Sequence, residues 1–207
     1  MLVSREREKL ISAIIYFVRS TKHCHTLKLF KLLNFLDFEH FRQTGRPVTG
    51  LRYSAWRMGP VPDDLWIEIG AGGAADMRQA VAIIEDDGTP PSLAFRTIDD
   101  GDWKAEGRQF KKRLFKPKRP FDKSIFTKRE LTIMERLSEF FKELRADDMS
   151  EFSHRARLPW SRVFRNGEGD KQPIPYESAL ESEPIMHETP TIDEDERRYR
   201  ELLLSGL

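Results

Sequence analysis

The side chains best suited to chemistry stand together early in the chain, in "KHCH", where His23, Cys24 and His25 offer imidazole and thiolate to a metal, or a thiol nucleophile to a base. The spacing argues against both. Adjacent side chains diverge, and neither a second Cys/His cluster nor a helical H-E-x-x-H pattern completes a metal site. A Cys–His pair also needs an orienting third group, so Cys24 is read as a small buried apolar residue and the histidines as structural. "GAGG" at 70–73 lacks the lysine of a P-loop and the spacing of a dinucleotide fingerprint, and is read as a flexible link. Acidic residues are plentiful, but no pair is set apart by its surroundings as general acid and base. No catalytic, cofactor-binding or metal-binding residue is expected, and the chain reads as a non-enzyme.

A net charge of +1 conceals a strong polarity along the 207 residues. From Lys104 to Arg129 the basic side chains face only Glu106 and Asp122, whereas from Glu177 to Glu196 every charge is acidic. Phe110, Leu114, Phe115 and Phe121 interleave with the cations, as stacking rings do in single-strand binders. A strand alternating between core and solvent produces the same string, and the chain lacks the overall basic excess of a nucleic-acid binder. A nucleic-acid-binding regulator using residues 108–119 is therefore the minor reading. Two solvated surfaces that pair with each other or with a partner protein are the major one.

The elements that would position these groups are mostly helical. Ser4 is a plausible N-cap for a helix over 5–19 carrying Leu10, Ile11, Ile14, Ile15, Phe17 and Val18. Thr26 can cap a second helix, closed by Gly45 and Pro47, whose apolar residues cover more than one face and mark it as central. In "LRYSAWRM" Tyr53 and Ala55 alternate as in a strand; in "WRMGPVPDDLW" Pro60 and Pro62 stiffen the backbone, and Asp63 and Asp64 suit a helix start. The stretch predicts a strand-to-helix elbow that orients surfaces. "AVAIIEDDGTPPSLAFRTI" reads as an antiparallel hairpin and "FKKRLFKPKRPF" as a basic edge strand. Thr127 and Glu130 form a capping box before a helix with Leu131, Met134, Leu137 and Phe141 on one face, and "ADDMSEFSHR" predicts another helix.

The expected fold class is α+β: a helix-rich single domain over 1–180 with a small antiparallel β-sheet, followed by an extended acidic C-terminal tail over 181–207 with a possible short terminal helix. No apolar run reaches the ~20 residues needed to span a bilayer. With one cysteine and no secretory leader, a cytoplasmic protein is expected.

Several stretches taken together, "KLFKLLNFLDFEHFRQTGRPVTGLRYSAWRMGPVP", "EFSHRARLPW" and "IPYESAL", resemble the Panacea domain family, the SocA-like antitoxin domain. The matching positions are Lys31, Leu32, Leu33 and Phe35 in the central helix, Gly59, Pro60 and Val61 in the elbow, and the late His154 and Trp160. Most of these are expected to determine the fold, because Gly, Pro and apolar residues usually serve backbone and packing. The resemblance implies a compact domain that binds a cognate toxin protein directly, or an adaptor delivering a toxin to a AAA+ protease. Trp56, Arg57, Met58 and Trp66 near the elbow, with Arg113 and Lys116 in the basic block, are the candidate partner-binding residues.

Overall fold

The computed structural model describes residues 5–85, 113–154 and 158–185. Helix α1, Glu6–Ser20, starts one residue later than its pattern suggested. Its N-cap is Arg5 with no side-chain cap, so Glu6 and Glu8 in the first turn supply the complement to the helix dipole. Helix α2, Thr26–Thr44, is the hub of the molecule. Thr26 is its first helical residue, so the N-cap is His25, correcting the expected capping role of Thr26. Gly45 closes the helix at φ 71°, its N–H bonding the Phe41 carbonyl at 2.7 Å.

Every residue of α2 except Leu27 and Arg42 is buried, which is what apolar side chains spread round a helix require. The stretch after it has the strand and the helix start of the expected strand-to-helix elbow, but a second strand stands between them and makes a hairpin. Strands β1, Tyr53–Trp56, and β2, Gly59–Pro62, pair antiparallel with Trp56 opposite Gly59, leaving Arg57 and Met58 as a two-residue turn. Two prolines fit because β2 is an edge strand, where a missing N–H breaks no ladder bond. Pro62 then caps helix α3, Asp63–Gly70, with Asp63 and Asp64 in its first turn as expected. A four-residue link with positive φ at Gly72 and Gly73 leads to helix α4, Ala75–Ala80.

Strand β3, Val81–Glu85, pairs antiparallel with β4, Arg113–Pro117, with Ile83 opposite Phe115 and Ile84 opposite Leu114. The expected partner of β3, the run at 92–98, lies outside the described residues. The strand that pairs with β3 falls within the basic edge strand expected over 110–121. Val81 and Phe115 are buried on the inner face of the ribbon, and Lys116 is exposed on the outer one.

Helix α5, Lys128–Phe140, opens with the expected capping box: the Glu130 N–H donates to Thr127 Oγ1 at 3.2 Å, and the Thr127 N–H to Glu130 Oε2 at 2.7 Å. Helices α6, Ala146–Ser153, and α7, Pro159–Phe164, follow. Strand β5, Pro173–Ile174, then adds to β1 to give the order β2-β1-β5.

The architecture is α+β, helix-rich, with two small antiparallel sheets around α2. One apolar cluster joins α1, α2, α5 and α6; a second gathers Phe38, Phe41, Tyr53, Trp160 and Ile174. Of the acidic tail, residues 181–185 are described. They pack on the fold: Glu181 pairs with Arg162 at 2.6 Å, and the Ile185 N–H donates to Glu39 at 3.2 Å. The terminal helix expected beyond them lies outside the described residues.

Candidate partner-binding face at the hairpin turn

The Arg57–Met58 turn is braced by polar and ring contacts from α2, α3 and α7. Trp56 is only 7% exposed; its indole N–H donates to Asp63 Oδ1 at 2.9 Å, and the Ser54 hydroxyl donates to Asp63 Oδ2. Asp63 thus does more than oppose the helix dipole: it ties β1 to the first turn of α3. The rings of Trp56 and Trp66 meet edge to face at 5.1 Å, and the Lys171 ammonium lies 5.1 Å from the Trp56 ring centre. From the other side the Trp160 indole donates to the Trp56 carbonyl at 2.8 Å, while its ring stacks between His154 at 3.9 Å and Phe164 at 4.5 Å.

Lys31 reaches this turn from α2. Its side chain is buried, and Nζ donates to the Met58 carbonyl at 2.5 Å. Gly59, at φ 118°, leaves the space the amine occupies, since a Cβ there would stand 2.5 Å from Nζ. Burial draws the Lys31 amine down to about 8 against the opposing pull of Asp147. His154 is pushed down to about 4, by burial first and by the charge of Lys31 second.

Two further buried charges on α2 hold the connections that carry the hairpin. Asp37 Oδ1 accepts the N–H groups of Val48 at 2.9 Å and Thr49 at 2.7 Å, and Oδ2 accepts the hydroxyls of Thr49 at 2.5 Å and Tyr53 at 2.9 Å. The single proton of Tyr176 goes to the Leu51 carbonyl at 2.5 Å, leaving its oxygen 3.3 Å from Asp37. Burial lifts the Asp37 carboxyl to about 6, although these donors favour its ionised form. Lys28 donates to the carbonyls of Lys22 at 2.6 Å, Phe141 at 2.8 Å, Leu144 at 2.7 Å and Lys142 at 3.3 Å, closing the end of α5.

The residues singled out in the sequence divide into two groups. Leu32, Leu33 and Phe35 are core, with Phe35 stacked on Phe141 at 5.2 Å; Gly59, Pro60 and Val61 are buried in β2. Lys31, Gly59, His154 and Trp160 converge on the turn, although they come from α2, β2 and the segment around α6 and α7. Among the partner-binding candidates, Arg57, Met58 and Trp66 are half-buried around the turn and Trp56 lies beneath it. Arg113 and Lys116 lie on β4. The Arg113 guanidinium pairs with Glu85 at 3.0 Å and approaches the Gly70 carbonyl at 3.4 Å, so β4 meets the last turn of α3 while the hairpin meets its first.

Sequence reasoning did not foresee Asp63 as a bridge, Ile67 as a 62% exposed apolar side chain beside Trp66, or the roles of Lys28 and Asp37. A signal for the last two was present: charged residues inside a stretch apolar on every face must be buried, and must therefore find partners. Cys24 is buried, and burial lifts its thiol to about 11, the behaviour of a structural residue. Among the described residues no three His, Cys, Asp or Glu side chains come together as metal ligands, and no helix is long and apolar enough to cross a membrane.

The stretch that builds this face, from α2 through the hairpin to Trp160, coincides with a family signature. The sequence model of the antitoxin SocA-like Panacea domain matches residues 29–161, well over half of the chain. The chain belongs to the Panacea domain family. No curated protein and no solved structure matches it. The Panacea match ends at Ser161, and segments on both sides of it pack against the matched region: α1 on α2, and Tyr176 on Leu51.

Proposed function

We propose that this Panacea domain is the antitoxin of a toxin–antitoxin pair and neutralises its toxin by stoichiometric contact, without transforming a substrate. Family membership carries the reading, and the braced hairpin supplies a face suited to it. Arg57, Met58, Trp66 and Ile67 project around a turn whose backbone is fixed from beneath by Lys31 and Trp160. Preorganisation of this kind lowers the ordering cost of association, and aromatic and arginine anchors supply the hot spots. Arg113 and Lys116, joined to this region through α3, extend the face with positive charge. The proposal places the protein in the cytoplasm, assigns residues 1–180 to the antitoxin domain and leaves 181–207 as an acidic extension. Lys31, Leu32, Leu33, Phe35, Gly59, Pro60, Val61, His154 and Trp160 serve it by holding the scaffold.

Coexpression with the product of the neighbouring gene tests the reading. That product arrests growth when expressed alone and is neutralised by this chain. Arg57→Ala combined with Met58→Asp abolishes neutralisation while leaving the melting temperature within a few degrees. A harmless neighbour, or full neutralisation by the double variant, overturns the assignment.

A further inference from the structure

Lys31 combines three features that a purely structural lysine does not need. It is buried, it has one backbone acceptor and no bonded carboxylate among the described residues, and that acceptor, the Met58 carbonyl, belongs to the turn proposed to face the partner. Lys28, one turn earlier, shows what full satisfaction of a buried ammonium looks like, with four carbonyls around it. The Lys31 amine instead occupies the space left by the missing side chain of Gly59, directly against the backbone of the turn.

Among the described residues the charged groups around it are sparse. Helix α6 brings Asp147, whose charge favours the ammonium, and His154, whose imidazole is disfavoured as a cation by Lys31, lies at its end. Strand β2 contributes no titratable side chain.

We propose that Lys31 is a positioning residue whose proton sets the hairpin turn: the ammonium grips the Met58 carbonyl, and the neutral amine holds it more weakly. A hydrogen bond from a charged donor is roughly twice as strong as one from a neutral donor, so loss of the proton weakens this link selectively. Burial places the transition near pH 8, within reach of physiological alkalinisation and well separated from His154 near 4. The effect on the turn stands by itself; its consequence for toxin binding rests on the function proposed above.

The test is a titration of the unaltered chain by NMR, following the lysine ε-carbons and the Met58 and Gly59 amides, with Lys31→Met to assign the resonance. A Lys31 midpoint near 8, shared by the two amides and removed from them by Lys31→Met, supports the inference. Lys31 titrating above 10, or turn amides that stay flat through its transition, overturns it. Toxin affinity measured at pH 7 and 9 then falls on the order of tenfold, the equivalent of about 1.4 kcal/mol. If the turn titrates but affinity does not change, the positioning role holds and the partner-face reading fails.

Discussion

Replacing Asp37 by asparagine isolates the cost of a buried carboxylate at the junction of α2 and the hairpin. The asparagine oxygen can still accept the Val48 and Thr49 N–H groups, and the Thr49 and Tyr53 hydroxyls can turn lone pairs to its amide, so the geometry survives. What changes is the proton balance. The wild-type carboxyl is raised from 3.8 to about 6, so between these values the unfolded chain loses a proton that the folded chain keeps. Wild-type stability from this group is therefore intact below pH 3.8, declines as pH rises and is fully lost above 6. About two pH units at 1.36 kcal/mol each give a swing of about 3 kcal/mol. Urea unfolding of both proteins from pH 3.5 to 7.5 measures the difference of differences, which cancels every other titrating group. The Asp37→Asn variant gains about 3 kcal/mol relative to wild type across this range. A difference that is flat with pH, or that moves the other way, shows that the four donors outweigh burial and refutes the argument.

Other substitutions probe the bracing of the turn. Trp160→Phe keeps the stack on His154 and Phe164 but removes the indole donor to the Trp56 carbonyl, costing about 0.5–1.5 kcal/mol in urea unfolding. Gly59→Ala must hold φ 118° and place a Cβ 2.5 Å from Lys31 Nζ, so it lowers stability by at least the ~1–3 kcal/mol of backbone strain. An unchanged melting temperature removes the close approach from the account. His154, held neutral down to about 4, makes the fold lose stability as pH falls from 6.5 towards 4, because the unfolded chain takes up a proton that the folded one refuses. His154→Phe flattens that limb of the stability–pH curve. Thr127→Ala removes the cap of α5 and costs about 1 kcal/mol by thermal unfolding.

The sequence was most legible where a local rule and burial agree. The apolar belt of α2, its Gly45 end and the Thr127–Glu130 box depend on side chains within a few residues of one another, and all three are present. The hairpin was misread because Pro60 and Pro62 signal a corner unless an edge strand is already in view. The pairing of β3 with β4 skips residues 86–112, and a two-residue strand such as β5 carries no period at all. At the candidate face, the family resemblance drew attention to Lys31, Gly59, His154 and Trp160. That Lys31 meets the Met58 carbonyl and Trp160 the Trp56 carbonyl is a fact of tertiary proximity, absent from any local pattern.

The lysine at position 28 has a bearing on how the chain is made. Three of the oxygens that surround its ammonium belong to residues 141, 142 and 144, so a ribosome that has released only the first two helices has released a cation with most of its cage still unsynthesised. Until residue 144 emerges, water is the better host for that charge, and the central helix stays exposed to whatever binds nascent hydrophobic chains. Closure is thus timed by the arrival of a distant segment, and a message truncated before it yields an open chain.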